Sequence, residues 1–175
     1  LSTTLSLTAA RGRGKSAALG LCVAASLLIG KFSSVFVTSP SVENLQTFFS
    51  FLIQGLRSVG LQEHHDFDVT NSIPKDSHSN PMIIRVLLHK WHRQSVSFVE
   101  PTDAALASQA ELVVIDEAAA IPLPLVKAFL TPNHLTFLSS TTNGYEGTGR
   151  SLSLKLIQQL KENSQRESSG KGGKR

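Results

Sequence analysis

A glycine-containing turn between an apolar run and a long helical pattern constrains this chain more than any other feature. The stretch from Leu5 to Ser16, LSLTAARGRGKS, predicts a strand, a turn and a helix start. Phosphate-binding loops share this layout, because small residues let backbone N–H groups converge on phosphate oxygens at a helix N-terminus. A lysine then reaches the outer phosphates, and a serine hydroxyl joins the Mg²⁺ shell. The sequence therefore predicts a P-loop with Lys15 and Ser16 as its key side chains.

One position departs from the common pattern G-x-x-x-x-G-K-[ST]. Ala9 stands where that pattern has its first glycine. Alanine is tolerated there only if the backbone φ stays negative. A helix N-terminus that merely follows Gly-Lys-Ser remains the alternative on this stretch alone.

Length and composition limit the remaining possibilities. With 175 residues, 41% of them hydrophobic, the chain can bury one core and is too short for two large domains. Residues 161–175 carry +3 of the +4 net charge, so the body has no strong nucleic-acid footprint. Cys22 is the single cysteine, which excludes an internal disulfide framework and indicates a reducing compartment. No apolar run is long enough to cross a bilayer. The sequence begins at Leu1 without methionine, so we expect a fragment of a longer protein.

Predicted strands and helices alternate along most of the chain, which indicates an α/β protein. Apolar periodicity predicts helices over 17–29 and 45–56, briefly after Pro101, over 125–130 and over 152–160. Apolar or β-branched runs predict strands over 34–38, 67–69, 82–88, 95–99 and 135–139. Residues 60–81 read as a polar insertion, and residues 161–175 as a disordered basic tail.

The second informative stretch is ELVVIDE, from Glu111 to Glu117. Four apolar residues followed by two carboxylates predict a buried parallel strand whose C-terminal end reaches a ligand crevice. A P-loop protein needs an aspartate there for the Mg²⁺ shell and a glutamate to orient or deprotonate the attacking water. Asp116 is the metal-side candidate and Glu117 the candidate base. A strand that ends in two solvated acids is the alternative.

Three loops, over 9–16, 116–120 and 140–150, each follow a predicted strand. Such loops gather at one edge of an open α/β sheet, so we expect Lys15 and Asp116 to face the same metal-bound triphosphate. Arg150 would add a fork of phosphate donors, although a surface arginine at a helix start is equally compatible. Trp91 and the phenylalanines are expected in the core rather than as base-stacking platforms. The histidines are expected on surfaces or loops.

Four stretches together resemble one known family. These are residues 8–20, 37–41, 111–126 (ELVVIDEAAAIPLPLV) and 143–159 (NGYEGTGRSLSLKLIQQ). They resemble the RecD-like helicase module of the eukaryotic nucleolar RNA cytidine acetyltransferases, relatives of the bacterial tRNA cytidine acetyltransferase. The likeness covers about residues 5–160, and the family's loop has the same Ala-Ala-Arg-Gly-Arg-Gly-Lys-Ser, which accounts for Ala9.

The resemblance implies a P-loop NTPase lobe over residues 1–160, with a RecA-like, mostly parallel sheet and helices on both faces. It implies ATP or GTP with Mg²⁺ as cofactors, and acetyl-CoA only in the full-length parent. The parent would form N(4)-acetylcytidine in small-subunit rRNA and tRNA, in the nucleus and nucleolus, with adaptor proteins possible and no membrane. Nucleotide contacts map onto Gly12, Arg13, Gly14, Lys15, Ser16, Ala17, Ala18, Leu19, Gly20 and Arg150.

In the resulting mechanism Lys15 holds the outer phosphates, Ser16 and Asp116 hold Mg²⁺, and Glu117 positions water. This chain by itself is not expected to transfer acetyl groups. Two alternatives stay open: a remnant that binds nucleotide without hydrolysing it, and the lobe of a general RNA or DNA helicase unrelated to acetylation.

Overall fold

Seven strands form one mixed sheet in the computed structural model, which describes residues 3–74, 80–131 and 133–141. The strands lie in the order β1-β7-β6-β2-β5-β4-β3. Their bounds are β1 (Thr4–Ala9), β2 (Ser34–Thr38), β3 (Phe67–Asn71), β4 (Ile83–Leu88), β5 (Gln94–Phe98), β6 (Leu112–Ile115) and β7 (Leu135–Thr141). The first five strands of that order are parallel, whereas β4 and β3 extend the sheet as antiparallel neighbours. The predicted α/β fold with a mostly parallel sheet is confirmed.

Helices cover both faces of the sheet, as predicted. The helices α1 (Lys15–Leu28) and α2 (Gln46–Ser58) pack on one face, and the 3-10 helix Pro101–Gln109 and α3 (Leu123–Phe129) on the other. Successive side chains of a strand point to opposite faces, so β6 contributes two residues to each core. All four of its side chains are fully buried, as expected for a central parallel strand.

The contact between α1 and α2 depends on a glycine in the first helix. A Cβ atom at Gly20 would lie 2.4 Å from the carbonyl oxygen of Phe48. The predicted apolar positions of α2 are buried in this contact and against the sheet: Phe48, Phe49, Leu52, Ile53 and Leu56. The run over 17–29 is apolar on nearly every helical face, which predicts a helix packed between the sheet and other elements, but Leu21 and Cys22 on the outer side of α1 are exposed. No described element covers that side.

Two further differences from the sequence predictions concern strand ends. Trp91 is 58% exposed, not in the core, because it lies in the turn between β4 and β5. The last strand runs on through Thr141, two residues past the predicted end at Ser139. The predicted helix over 152–160 and the tail lie outside the described residues.

The remaining aromatic and histidine side chains mostly follow the sequence predictions. The phenylalanines are buried or half-buried, and the histidines at 64, 65, 89 and 92 are exposed. His134 lies in the loop before β7, as expected, but its side chain is buried, and its Nε2 lies 2.7 Å from the carbonyl oxygen of Phe129. Among the described helices none is long and apolar enough to cross a membrane.

Candidate functional site

The phosphate-loop motif and the acidic pair meet because the strands that carry them lie close together in the sheet. Of the third predicted loop, residues 142–150 lie outside the described residues. In the sheet β7 lies between β1 and β6, and all three are parallel, so their C-terminal ends share one edge. Ala9 at the end of β1 is the register partner of Thr141, and Ile115 at the end of β6 is the partner of Leu138. The phosphate-loop motif and the acidic pair therefore lie side by side, as the sequence predicted.

The loop after β1 has the backbone of a phosphate cradle. Gly12 and Gly14 adopt φ angles of 74° and 76°, a left-handed region that residues with a Cβ atom rarely adopt. Ala9 is not among the described residues with positive φ, so alanine is accommodated at that position. Gly14 precedes α1 without a side-chain cap, and no acidic residue occupies the first helical turn. The positive end of the helix dipole is thus available to an anion.

Lys15 is held between its own loop and the acidic pair. Its side chain is 5% exposed, and its Nζ donates to the carbonyl oxygens of Ala9, at 3.3 Å, and Ala10, at 3.2 Å. The same Nζ lies 4.0 Å from Oε1 of Glu117. Carbonyl partners are weak compared with phosphate oxygens, so the amine can exchange them for an anionic ligand without moving to another part of the site.

Asp116 is a fully buried carboxylate that is only half satisfied. Its Oδ1 accepts hydrogen bonds from the Ser139 hydroxyl and from the backbone N–H of Glu117. Its Oδ2 is buried with no hydrogen-bond partner in the part of the chain that the structure describes. Burying an unpaired carboxylate oxygen is costly, and a cation removes that cost. The donor set therefore fits Mg²⁺.

Few described side chains other than Asp116 are placed to bind Mg²⁺ at this site. Ser16 is half-buried in the first turn of α1, where its hydroxyl follows the phosphate loop directly. No group of three His, Cys, Asp or Glu side chains within residues 3–74, 80–131 and 133–141 is arranged to hold a metal ion. Nucleotide-bound Mg²⁺ takes most of its ligands from phosphate and water, so one carboxylate and one hydroxyl are enough.

Glu117 has a strained backbone and a constrained side chain. Its φ and ψ of 52° and 46° are left-handed, which costs about 1–2 kcal/mol for a residue with a Cβ atom. Its N–H lies 3.1 Å from the Ser139 hydroxyl, and its carboxylate oxygens lie 2.9 and 2.8 Å from Oγ1 of Thr141. Strain of this kind persists where surrounding contacts determine the conformation, which is typical of functional sites.

Ser139 and Thr141 hold the acidic pair through hydrogen bonds, and sequence reasoning missed these contacts. They were assigned to a strand end and the start of a polar loop, with no role beside the acidic pair. Because they are two residues apart on β7, both side chains lie on the same face of the sheet, the face that Asp116 and Glu117 also use. Polar residues at alternate positions of a strand end beside an acidic pair would have been the available signal.

The structure separates the other predicted nucleotide contacts into two groups. Gly12, Arg13, Gly14 and Ala18 are exposed and Ala17 is half-buried, so these surround the open side of the loop. Leu19 and Gly20 are buried, and Gly20 packs directly against α2, which gives both a packing role. Arg150 lies outside the described residues.

Comparison with known proteins gives a consistent family match. A family model described as "RNA cytidine acetyltransferase NAT10/TcmA, helicase domain" matches residues 6–170. An RNA cytidine acetyltransferase of Mus musculus is 56% identical over 164 residues, which are 94% of this chain and 16% of that protein. One of Saccharomyces cerevisiae is 56% identical over 161 residues, which are 92% of this chain and 15% of that protein. The chain thus spans about a sixth of the length of these curated relatives.

Solved structures support the fold. The large terminase of a thermophilic bacteriophage matches with a TM-score of 0.53 at 10% identity, over 79% of this chain and 32% of that one. The same terminase in complex with ATP-gamma-S matches with a TM-score of 0.52 at 11% identity, over the same shares. At these identities the likeness shows the fold alone, which is that of P-loop ATPase domains.

Proposed function

This chain belongs to the helicase-domain family of the RNA cytidine acetyltransferases, and on that premise we propose that it binds and hydrolyses ATP with Mg²⁺. The observation that carries the proposal is the meeting of two distant motifs. Lys15 Nζ lies 4.0 Å from the Glu117 carboxylate, next to a buried aspartate oxygen without a partner in the described chain. GTP offers the same β- and γ-phosphates and is the alternative nucleotide.

In this proposal the loop from Gly12 to Ser16 holds the β- and γ-phosphates through backbone N–H groups and the Lys15 amine. Ser16 and Asp116 would hold Mg²⁺, which supplies positive charge against the phosphates when bound. Glu117, oriented by Thr141, positions the attacking water and accepts its proton. Arg150 would contact phosphate. Catalysis consists mainly of positioning and charge neutralisation, as phosphoryl transfer requires.

The activity of the whole parent protein is a wider proposal. We infer that the ATPase lobe serves an enzyme that transfers acetyl groups from acetyl-CoA to cytidine in small-subunit rRNA and tRNA. A nucleolar location and adaptor proteins are part of that inference. Acetyl transfer itself is assigned to the portion of the relatives that this chain does not span.

The substitution Lys15→Ala tests the nucleotide site. We expect nucleotide binding to fall by about 100-fold or more, because a buried amine aimed at the phosphates is removed. Lys127→Ala is the matched control, since Lys127 is an exposed lysine of α3. Calorimetric titration with ATP and Mg²⁺ measures affinity, and circular dichroism checks the fold. A folded Lys15→Ala chain with the affinity of the unsubstituted protein contradicts the proposal.

Binding without hydrolysis is the second candidate, and one observation favours it. The Glu117 side chain is 31% exposed, and efficient phosphoryl transfer needs water excluded around the reacting groups. Turnover is therefore measured separately from affinity. Tight binding with no phosphate release by the isolated chain favours this second candidate over hydrolysis.

A further inference from the structure

The turn between β4 and β5, residues 89–93, exposes an aromatic ring among cationic side chains. All of its residues are exposed: His89, Lys90, Trp91, His92 and Arg93. Trp91 is the single tryptophan of the chain. Isolated exposed apolar residues are common on protein surfaces, so the exposure of Trp91 alone does not indicate a binding site. The argument for a site depends on how the turn is held and what surrounds the ring.

A buried aspartate anchors the first side of this turn. Asp66 is 3% exposed, and its Oδ1 accepts from Lys90 Nζ at 2.9 Å. Its Oδ2 accepts from the N–H of Gln62 at 2.8 Å, and its carbonyl oxygen accepts from the N–H of His89 at 3.0 Å. These bonds fix the backbone that leads into Trp91.

A buried glutamine anchors the second side. Gln94 is fully buried, and its Nε2 donates to the carbonyl oxygens of Leu27, at 3.0 Å, and Phe32, at 2.8 Å. Asp66 bonds to two residues of the turn and Gln94 follows the turn directly, so the backbone of the turn is preorganised while the indole stays in solvent. A ligand that stacks on this ring therefore loses little entropy in ordering the protein.

The charges around the ring are mainly positive. Arg93 and Lys31 are exposed, and the His92 ring lies 3.5 Å from where a Cβ atom at Gly30, the neighbour of Lys31, would stand. The nearby carboxylate of Asp68 is engaged by the histidines at 64, at 3.5 Å, and 89, at 3.2 Å. The carboxylate at position 66 is engaged by Lys90. The net charge of the body is small, but Arg93 and Lys31 are exposed here, whereas the carboxylate of Asp66 is neutralised by Lys90.

We propose that the turn at residues 89–93 binds single-stranded RNA, with a base stacked on Trp91 and phosphates against Arg93 and Lys31. Stacking requires an unpaired base, which favours a single strand over a duplex. The choice of RNA over another polyanion rests on the proposed function. The turn precedes the N-terminal end of β5, whereas the phosphate loop follows the C-terminal end of the parallel strand β1. The turn and the phosphate loop therefore lie at opposite edges of the sheet, and RNA and nucleotide occupy separate surfaces.

Fluorescence tests the proposal directly, because Trp91 is the single tryptophan and so the emission reports on this turn. Titrating the chain with a single-stranded oligocytidine RNA should quench the emission saturably. In anisotropy titrations with labelled RNA, Trp91→Ala should weaken binding by about 10-fold, and Trp91→Phe should retain most of the affinity. Ile73→Ala, which truncates another exposed apolar side chain, is the matched control and should bind normally. Arg93→Ala should reduce the slope of log K against log salt by about 1.

Several results would overturn the proposal. These are no quenching, equal affinity in Trp91→Ala, or equal affinity for duplex RNA. Quenching by an acidic peptide at the same affinity would instead assign the surface to a protein partner. Nucleotide affinity is measured on the same preparations. Failure to bind RNA by a chain that binds nucleotide therefore overturns this proposal and leaves the proposed function standing.

Discussion

Asp66 and Asp116 are both buried aspartates, but they lie at opposite edges of the sheet and are satisfied very differently. Both carboxylate oxygens of Asp66 have hydrogen-bond partners, including the Lys90 amine. Asp116 has partners on Oδ1 alone, and its Oδ2 has none among the described residues. At one edge, the aspartate has both carboxylate oxygens in hydrogen bonds. At the other edge, the aspartate keeps one carboxylate oxygen without a protein partner among the described residues, so this oxygen can bind a cation.

The surroundings of the two aspartates also differ. Beside Asp116, Glu117 is held in the left-handed region, and Lys15 rests on carbonyl oxygens that a phosphate would outcompete. Beside Asp66, the hydrogen bonds connect a turn to its own strands. Positive φ by itself does not separate the two edges, because His64 near Asp66 also has a φ of 67°. What separates the two aspartates is the pairing of their carboxylates, which is complete at Asp66 and leaves Oδ2 of Asp116 without a partner among the described residues.

Exchanging each aspartate for asparagine tests this contrast most strongly. Asp116→Asn should reduce ATP turnover by about 100-fold or more, because the charge beside the phosphates is lost. Its melting temperature should be unchanged or higher, since an unpaired buried charge is removed. Asp66→Asn should do the reverse, lowering the melting temperature and sparing turnover. Phosphate-release assays measure the turnover of both variants, and thermal unfolding measures their melting temperatures. An equal drop in melting temperature in the two variants would contradict the comparison.

A smaller effect is expected from the hydroxyl that holds Glu117. Thr141→Val keeps the size of the side chain but frees the carboxylate, so kcat should fall by about 10-fold with KM nearly unchanged. Thr70→Val, at an exposed position of the edge strand β3, is the matched control. Steady-state kinetics separates the two constants. A rise in KM alone would show that Thr141 acts in binding instead of positioning.

The smallest effect is a pH dependence of stability. Hydrogen bonds from Lys90 and from the N–H of Gln62 hold the pKa of the Asp66 carboxyl well below its usual range. A lowered folded-state pKa contributes stability that is complete above the unfolded value of about 3.9 and is lost as the pH falls below it. Thermal melts between about pH 7 and pH 2 should therefore show a shallower acid decline for Asp66→Asn than for the unsubstituted chain. If the melting temperatures of the two proteins fell equally with decreasing pH, protonation of Asp66 would not contribute to the acid sensitivity.

Sequence patterns predicted most of the fold because the strands that carry the site are strongly apolar and bounded by turn residues. The run from Leu112 to Ile115 predicted a buried strand, and the helix from Lys15 follows the glycine turn directly. Trp91 was misplaced because composition favours burial of aromatic rings, whereas position in a turn decides it. The roles of the hydroxyls at 139 and 141 were missed because their contacts with the acidic pair depend on β7 lying beside β6, and that strand order is not visible in the sequence.

The sequence by itself determined the phosphate loop, the acidic pair and the alternation of elements, since each depends on neighbours a few residues apart. The tertiary structure alone decided that β7 inserts between β1 and β6. That insertion brings Ser139 and Thr141 against Asp116 and Glu117, and leaves Asp116 Oδ2 buried without a partner among described residues. Burial and hydrogen bonding across strands are set by which strands become neighbours, and local sequence does not encode that order.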